Sequence, residues 1–242
     1  MAFTSFRFIV FLVLAAAAYF LTPKRCRWVT LFVANYVFYF ISGGRIFIYL
    51  LATTVTTYLA TVKIGDMAAK NKIAFNEAKA ELDKEGKKAW KAAFAKKKKR
   101  ILIPTLLFNF GILAVLKYSG FVTENLNLLF AKIGIGTELP VFRFLLPLGI
   151  SFYTFQSMGY LIDVYREKQE PERNFCKLAL FISFFPQIVQ GPISRFGTLA
   201  EQLFRANEFS YTRIKFGVQL MLWGAFKKMV IADRAAVLVD NA

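Results

Sequence analysis

The sequence predicts an all-α protein, a polytopic bundle of transmembrane helices in which at least one helix is broken or re-entrant. Three observations carry this. Hydrophobic residues make up 57% of the 242, with 28 phenylalanines among them. Uncharged apolar runs recur along the chain at close to bilayer length. Two of these runs contain Gln, Ser, Pro and Gly at depths where an unpaired polar group costs several kcal/mol.

The runs are Phe8 to Pro23, Trp28 to Gly44, Ile46 to Val62, Ile101 to Leu116, Phe144 to Ile162 and Leu178 to Ser194. A span needs about 20 mainly apolar residues, with a working range from about 17. Several of these are short, and snorkelling Lys and Arg, tilt or re-entrance would account for the lengths. Phe216 to Phe226 is too brief unless it continues past Lys227 and Lys228 through Ile231, which the sequence leaves open. The first run competes with a signal peptide because Arg7 precedes it. Lys24, Arg25 and Arg27 follow it in greater number, so it reads as an uncleaved span.

Charge sets the orientation. Residues 63–100 hold 13 Lys and Arg against 5 Asp and Glu, a net of +8 out of the chain's +17. Basic short loops face the cytoplasm. With Lys24 to Arg27 and residues 63–100 inside, the amino terminus and the Gly43, Gly44 turn lie outside. The loop from Ser119 to Pro140 is then outside and Arg166 to Arg173 inside. The localisation expected is the inner (plasma) membrane, multi-pass.

Within the basic segment, Trp90 and Phe94 are one helical turn apart. Lys87 to Lys99 can therefore lie at the interface as a cytoplasmic amphipathic helix, with Gly86 separating it from a helix around Phe75 to Lys84. The unbroken run Lys96 to Arg100 and the pI of 9.9 also suit nucleic acid. Because the run abuts the Ile101 span, anchoring to anionic lipid accounts for it, and no nucleic-acid partner is expected. No fixed repeat and no Ser- or Gly-rich linker divides the chain, so 1–242 is read as a single membrane domain. Cys26 and Cys176 both fall on the cytoplasmic side and are expected to be free thiols.

The candidate site lies in two stretches. In SFYTFQSMGYLIDVYR, from Ser151 to Arg166, helical geometry of about 100° per residue places Tyr153, Gln156, Tyr160 and Asp163 within roughly 80° of one another. A polar stripe at membrane depth marks a ligand pathway. Its bland counterpart is helix-to-helix hydrogen bonding at about 1 kcal/mol per contact. In FFPQIVQGPISRF, from Phe184 to Phe196, Pro186 lacks an N–H and Gly191 with Pro192 stops a helix. A broken helix at that depth is tolerated where it is buried in protein or lines a wet cavity. Gln187 and Gln190 share a face at the break, and Arg195 beside it could serve an anionic group. The bland reading here is a proline kink.

These two stretches, followed by WGAFKKMVIADR from Trp223 to Arg234, resemble the membrane-bound O-acyltransferases. The similarity is to the bacterial branch that includes alginate O-acetylase, peptidoglycan O-acetyltransferase and the D-alanyl transferase of teichoic acids. The resemblance implies transfer of an acyl group, commonly acetyl, from a thioester donor such as acetyl-CoA or an acylated carrier protein. The acceptor it implies is an extracytoplasmic glycan or a partner protein. The family's reaction depends on a histidine in a later segment, which would act as general base toward an acceptor hydroxyl. This chain has no histidine. It is therefore expected to be an amino-terminal fragment with pathway residues and no catalytic residue, inactive alone. No Ser-His-Asp triad, zinc-protease motif or metal site is expected, and no bound cofactor. A non-enzymatic transporter or glycan flippase would use broken helices equally well, although many such folds carry internal repeats and none is apparent here.

Overall fold

The computed structural model describes residues 5–43, 47–79, 82–134, 139–141, 144, 146–188 and 191–240. Helix is the only regular structure among them. Residues fall into two compact groups, 31–204 and a smaller one formed by 1–30 with 205–242.

The larger group contains most of α2 (Arg27–Gly43) and is built around α3 (Phe47–Ala78), α4 (Lys84–Lys132) and α5 (Ile150–Tyr165). Both α3 and α4 are long and apolar enough to cross a membrane. They also run well beyond that length. At about 1.5 Å per residue, the 49 residues of α4 far exceed a 30 Å hydrocarbon core. The basic segment is thus a continuation of these two helices. Asp83 caps the start of α4, its side chain accepting the Gly86 N–H at 2.7 Å. Gly86, expected as a separator, lies in the first turn of α4, because the Ala- and Lys-rich sequence around it favours helix strongly. Trp90 donates to Asn71 at 2.9 Å and packs 6.1 Å from Phe75, so it seats on α3. The expected loop from Ser119 is likewise helical as far as Lys132. Gly44 lies outside the described residues.

One end of the α3/α4/α5 group is pinned by polar contacts. Lys98, 6% exposed, donates to the Tyr165 carbonyl at 2.9 Å and pairs with Glu167. Its ammonium lies 4.7 Å from the Phe94 ring centre and 5.1 Å from that of Tyr165. The loop after α5 is tied to α3 by Tyr58 Oη, donating to the Arg173 carbonyl at 2.7 Å, and by the Arg173–Asp66 pair at 2.7 Å. Gly65 on α3 leaves room for the Pro171 ring, which a methyl group there would overlap.

From this end the chain makes a hairpin. Three short helices form it: α6 (Phe175–Ser183), α7 (Phe185–Ile188) and α8 (Phe196–Phe204). It rises along α6 to α7, where Ile188 sits against Gly149 at the opposite end of α5. It then returns. Phe196 packs 4.7 Å from Tyr160, Gly197 faces Gln169, and Lys177 at the start of α6 lies 5.1 Å over the ring of Phe204. Both feet of the hairpin are therefore at the Lys98 end. Phe196, Leu199, Ala200 and Leu203 form the buried face of α8.

The smaller group contains α1 (Phe6–Leu21), a turn at Lys24–Cys26 and the first residues of α2. It also holds α9 (Tyr211–Phe226), a π-helical stretch Lys227–Ala232 and α10 (Asp233–Asp240). The run left open by the sequence thus continues past Lys227 and Lys228 as unbroken helix. Arg27, 9% exposed, organises this group by donating to the carbonyls of Phe20, Thr22 and Asn207. Cys26 and Cys176 are free thiols.

Gly149 is the tightest constraint on the hairpin. Its φ of +68° is left-handed, and a methyl group there would overlap the Ile188 side chain and lie 2.6 Å from the Ile188 carbonyl oxygen. Gly149→Ala should lower the melting temperature in detergent, with about 1–2 kcal/mol from the backbone alone and about 1–3 kcal/mol more from overpacking. Adding Ile188→Ala should recover only part of the loss, because the left-handed φ and the carbonyl contact remain. An unchanged melting temperature in Gly149→Ala would contradict this packing.

Candidate functional site

The site is organised by a missing turn of helix. The helix α6 ends at Ser183, and Phe184, with φ −58° and ψ 102°, leaves helical geometry. Had it continued, the Phe185 N–H would have bonded the Phe181 carbonyl. Pro186 has no N–H to offer the carbonyl of Ile182. Buried backbone groups freed in this way must find other partners.

Two amide side chains from neighbouring helices supply them. Gln156 of α5 donates its Nε2 to the Phe181 carbonyl at 2.8 Å, and Asn35 of α2 accepts the Phe185 N–H on Oδ1 at 3.0 Å. Both are buried, at 2% and 0% exposure. Beyond the break, Gln187 and Ile188 donate their N–H groups to the Phe184 carbonyl, which restarts the helix as α7. Pro186 stands in its first turn, where an N–H is not required. Gly191 then donates to the Gln187 carbonyl at 2.7 Å in a turn so close that a Cβ would lie 2.6 Å from Gln187 Cα. Gln187 Nε2 donates to Ser194 Oγ at 2.6 Å and ties the descending stretch to α7.

Several buried polar atoms around this break have no hydrogen-bond partner among the described residues: Asn35 Nδ2, Tyr153 Oη and Gln187 Oε1. Each costs about 1–3 kcal/mol if it stays dry. The Ser183 hydroxyl lies beside the Tyr36 phenol, and Tyr39 is within electrostatic reach of both Tyr36 and Tyr153. Two helices, α2 and α5, and the hairpin thus bring hydroxyl and amide groups into this part of the molecule. Such groups bind water or a polar ligand. They include no carboxylate and no imidazole, so they can orient a group by hydrogen bonds but cannot act as a base near neutral pH.

The predicted residues divide accordingly. Gln156 and Gln187 lie at the break, and Tyr153 is buried about one turn before Gln156 on α5. Tyr160 is buried about one turn further along α5, where its hydroxyl accepts the Glu172 N–H at 2.7 Å and its ring packs on Phe181 and Phe196. Asp163 is half-buried about two turns from Gln156, toward the Lys98 end. Arg195 is exposed, and its carbonyl accepts the Leu199 N–H in the first turn of α8. Gln190 lies outside the described residues.

Asn35, Ser183 and Tyr39 were not singled out by the sequence reading. The missed signal at Asn35 is the one that marks Gln156: an amide in the middle of an uncharged run. Tyr39 supports the top of the hairpin, donating to the Leu148 carbonyl at 3.4 Å. Among the described residues, no group of His, Cys, Asp or Glu is arranged to hold a metal.

Known proteins align with this chain, two of the following three along its whole length. A protein of Pseudomonas syringae pv. tomato named "Probable alginate O-acetylase AlgI" is 30% identical over 244 residues, covering 100% of this chain and 42% of its own length. A protein of the same name from Azotobacter vinelandii is 32% identical over 246 residues, covering 100% of this chain and 43% of its own length. A "Peptidoglycan O-acetyltransferase" of Helicobacter pylori is 32% identical over 165 residues, which is 57% of this chain and 30% of that protein. The chain spans about two-fifths of the length of the alginate O-acetylase relatives it matches. No family model matches the chain, and no solved structure does. The chain is a homologue of the alginate O-acetylases along its whole length and of the peptidoglycan O-acetyltransferase over 57% of it, and is of the membrane-bound O-acyltransferase type.

Proposed function

We propose that this chain forms part of an O-acyltransferase that moves an acyl group, acetyl by the names of its relatives, toward an extracytoplasmic glycan or a partner protein. The break between α6 and α7 would wall a section of the path. The observation that carries this reading is a broken helix flanked by buried polar atoms without partners among the described residues, Asn35 Nδ2 and Gln187 Oε1, with Tyr153 Oη on the neighbouring α5. Broken helices at membrane depth persist where they line a cavity.

In this reading Gln156 and Asn35 are positioning residues that hold the break open, while Tyr153, Ser183 and Gln187 face the travelling group. Tyr160 braces the descending limb. Asp163 and Arg195 belong to the approach from the basic end, where Arg195 would meet an anionic part of the thioester donor, acetyl-CoA or an acylated carrier protein. The basic end faces the cytoplasm by the charge rule, which makes 174–204 a re-entrant hairpin entering and leaving on that side. The amino terminus is then outside, and the protein is multi-pass in the plasma membrane. The base that deprotonates the acceptor comes from outside these 242 residues, which contain no histidine. The relatives' names do not favour a transporter or flippase.

Three measurements test this. In the full-length protein, Tyr153→Phe should leave the melting temperature unchanged or slightly raised, since it removes an unpartnered hydroxyl, while turnover falls. Gln156→Leu should destabilise by about 1–3 kcal/mol, because the Phe181 carbonyl loses its donor. Phe155→Leu, on the exposed face, should alter neither quantity. Full turnover in Tyr153→Phe would remove the hydroxyl from the path.

For orientation, a cysteine in place of Lys87 should react only with reagents that reach the cytoplasm, and one in place of Gly43 with reagents added outside. Reversed labelling would invert the arrangement. Purified residues 1–242 in lipid should not turn over an acetyl thioester above background. Clear turnover would require a base within the chain, and Asp163 would be examined first.

A further inference from the structure

A second candidate site lies within the smaller group of residues. Arg205, Ala206, Asn207, Glu208 and Arg213 line a surface cavity of about 350 Å³ between the loop before α9 and its first turn. Its charge balance is uneven. Glu208 is already taken by Lys24, 2.6 Å away. The hydrogen bond and charge of Lys24, followed by the fields of Arg213 and Arg27, hold the Glu208 carboxyl below its usual range. Lys24, Arg205 and Arg213 against Glu208 leave an excess of two positive charges. Neither the Arg205 nor the Arg213 guanidinium has a hydrogen-bond or ion-pair partner among the described residues.

The cavity wall is built rather than incidental. The buried Arg27 donates to the Asn207 carbonyl and to the Thr22 and Phe20 carbonyls, so one side chain fixes the loop relative to the end of α1. Asn207 Nδ2 donates to the Arg205 carbonyl at 3.3 Å. Planar guanidinium groups suit bidentate contacts to phosphate oxygens better than ammonium groups do. Immediately beside the charged lining in sequence stand Phe209, 64% exposed with its ring centre 5.2 Å from that of Phe20, and Tyr211, 74% exposed. A cationic cavity next to outward-facing aromatic rings, at the end of an apolar helix, matches a ligand with a phosphate head and a hydrocarbon body.

We propose that this cavity binds the phosphodiester of an anionic phospholipid, its phosphate held by Arg205 and Arg213 and its acyl chains laid against Phe209 and Tyr211. The proposal rests on reading α1 as a membrane segment and is independent of acyl transfer. A polyanion headgroup and free inorganic phosphate share this chemistry, and the test separates them.

The full-length protein carrying this chain would be purified in detergent, mixed with equal amounts of phosphatidylglycerol and phosphatidylcholine, and examined by native mass spectrometry. Membrane insertion would be confirmed separately in vesicles of the same lipids, so that failure to insert is distinguished from failure to select. The wild type should retain phosphatidylglycerol severalfold over phosphatidylcholine. Arg205→Gln with Arg213→Gln should remove most of that preference, and Arg205→Lys should keep part of it. Glu208→Gln is the most telling variant. It removes the only carboxylate from the lining and frees Lys24, so retention should rise, whereas a merely structural ion pair would leave lipid selection unchanged. Equal retention of the two lipids by the wild type, an undiminished preference in the double variant, or no gain in Glu208→Gln would overturn the proposal. Thermal stabilisation by inorganic phosphate without lipid preference would also overturn the lipid assignment.

Discussion

The larger part of this structure depends on the satisfaction of a few backbone groups at one place. Where α6 gives way to α7, the Phe181 carbonyl and the Phe185 N–H lose each other, and in an apolar interior neither can turn to bulk water. An unmade backbone bond there costs more than most side-chain contacts can return. Gln156 and Asn35 reach in from α5 and α2 and take one group each. That requirement fixes the rotation of both helices about the hairpin, because an amide pointing elsewhere would leave a freed backbone group unpaired.

Other contacts fix where the hairpin starts and stops. At the tip, Gly149 permits Ile188 to lie against the chain entering α5, at a φ of +68° and with no space for a Cβ. At the feet, Lys98 bridges α4 to the end of α5, while Tyr58 and Asp66 on α3 secure Arg173 just before α6. Between these limits the limb from Gly191 to Arg195 has little regular structure of its own. It is held by the Gln187–Ser194 bond and by the stacking of Phe196 on Tyr160 and Phe181.

Arginine and lysine serve opposite purposes in the two groups of residues. Arg27 and Lys98 are buried and spend their charge on backbone carbonyls, organising the chain around them. Arg205 and Arg213 are exposed with their guanidinium groups uncommitted among the described residues. The first pair is structural. The second pair is available, which is the physical distinction between a charge that folds a protein and one that binds something.

Much of this protein was determined by the sequence alone. Runs of apolar residues close to bilayer length specify helices whatever their neighbours, because the backbone must then bond to itself. The spacing of Tyr153, Gln156 and Tyr160 put three polar groups on one face of α5, and Pro186 with Gly191 located the broken helix. Tertiary structure decided the rest. Residues 63–100 proved to extend α3 and α4, since helix propensity carried through a glycine that the sequence alone marked as a stop. That Gln156 would meet a carbonyl freed 25 residues later, and that the tip would draw on Asn35 from α2, could not be read from periodicity. Periodicity specifies a face and not what the face meets. The partner of a buried amide is set by which helices pack together, and that choice belongs to the fold as a whole.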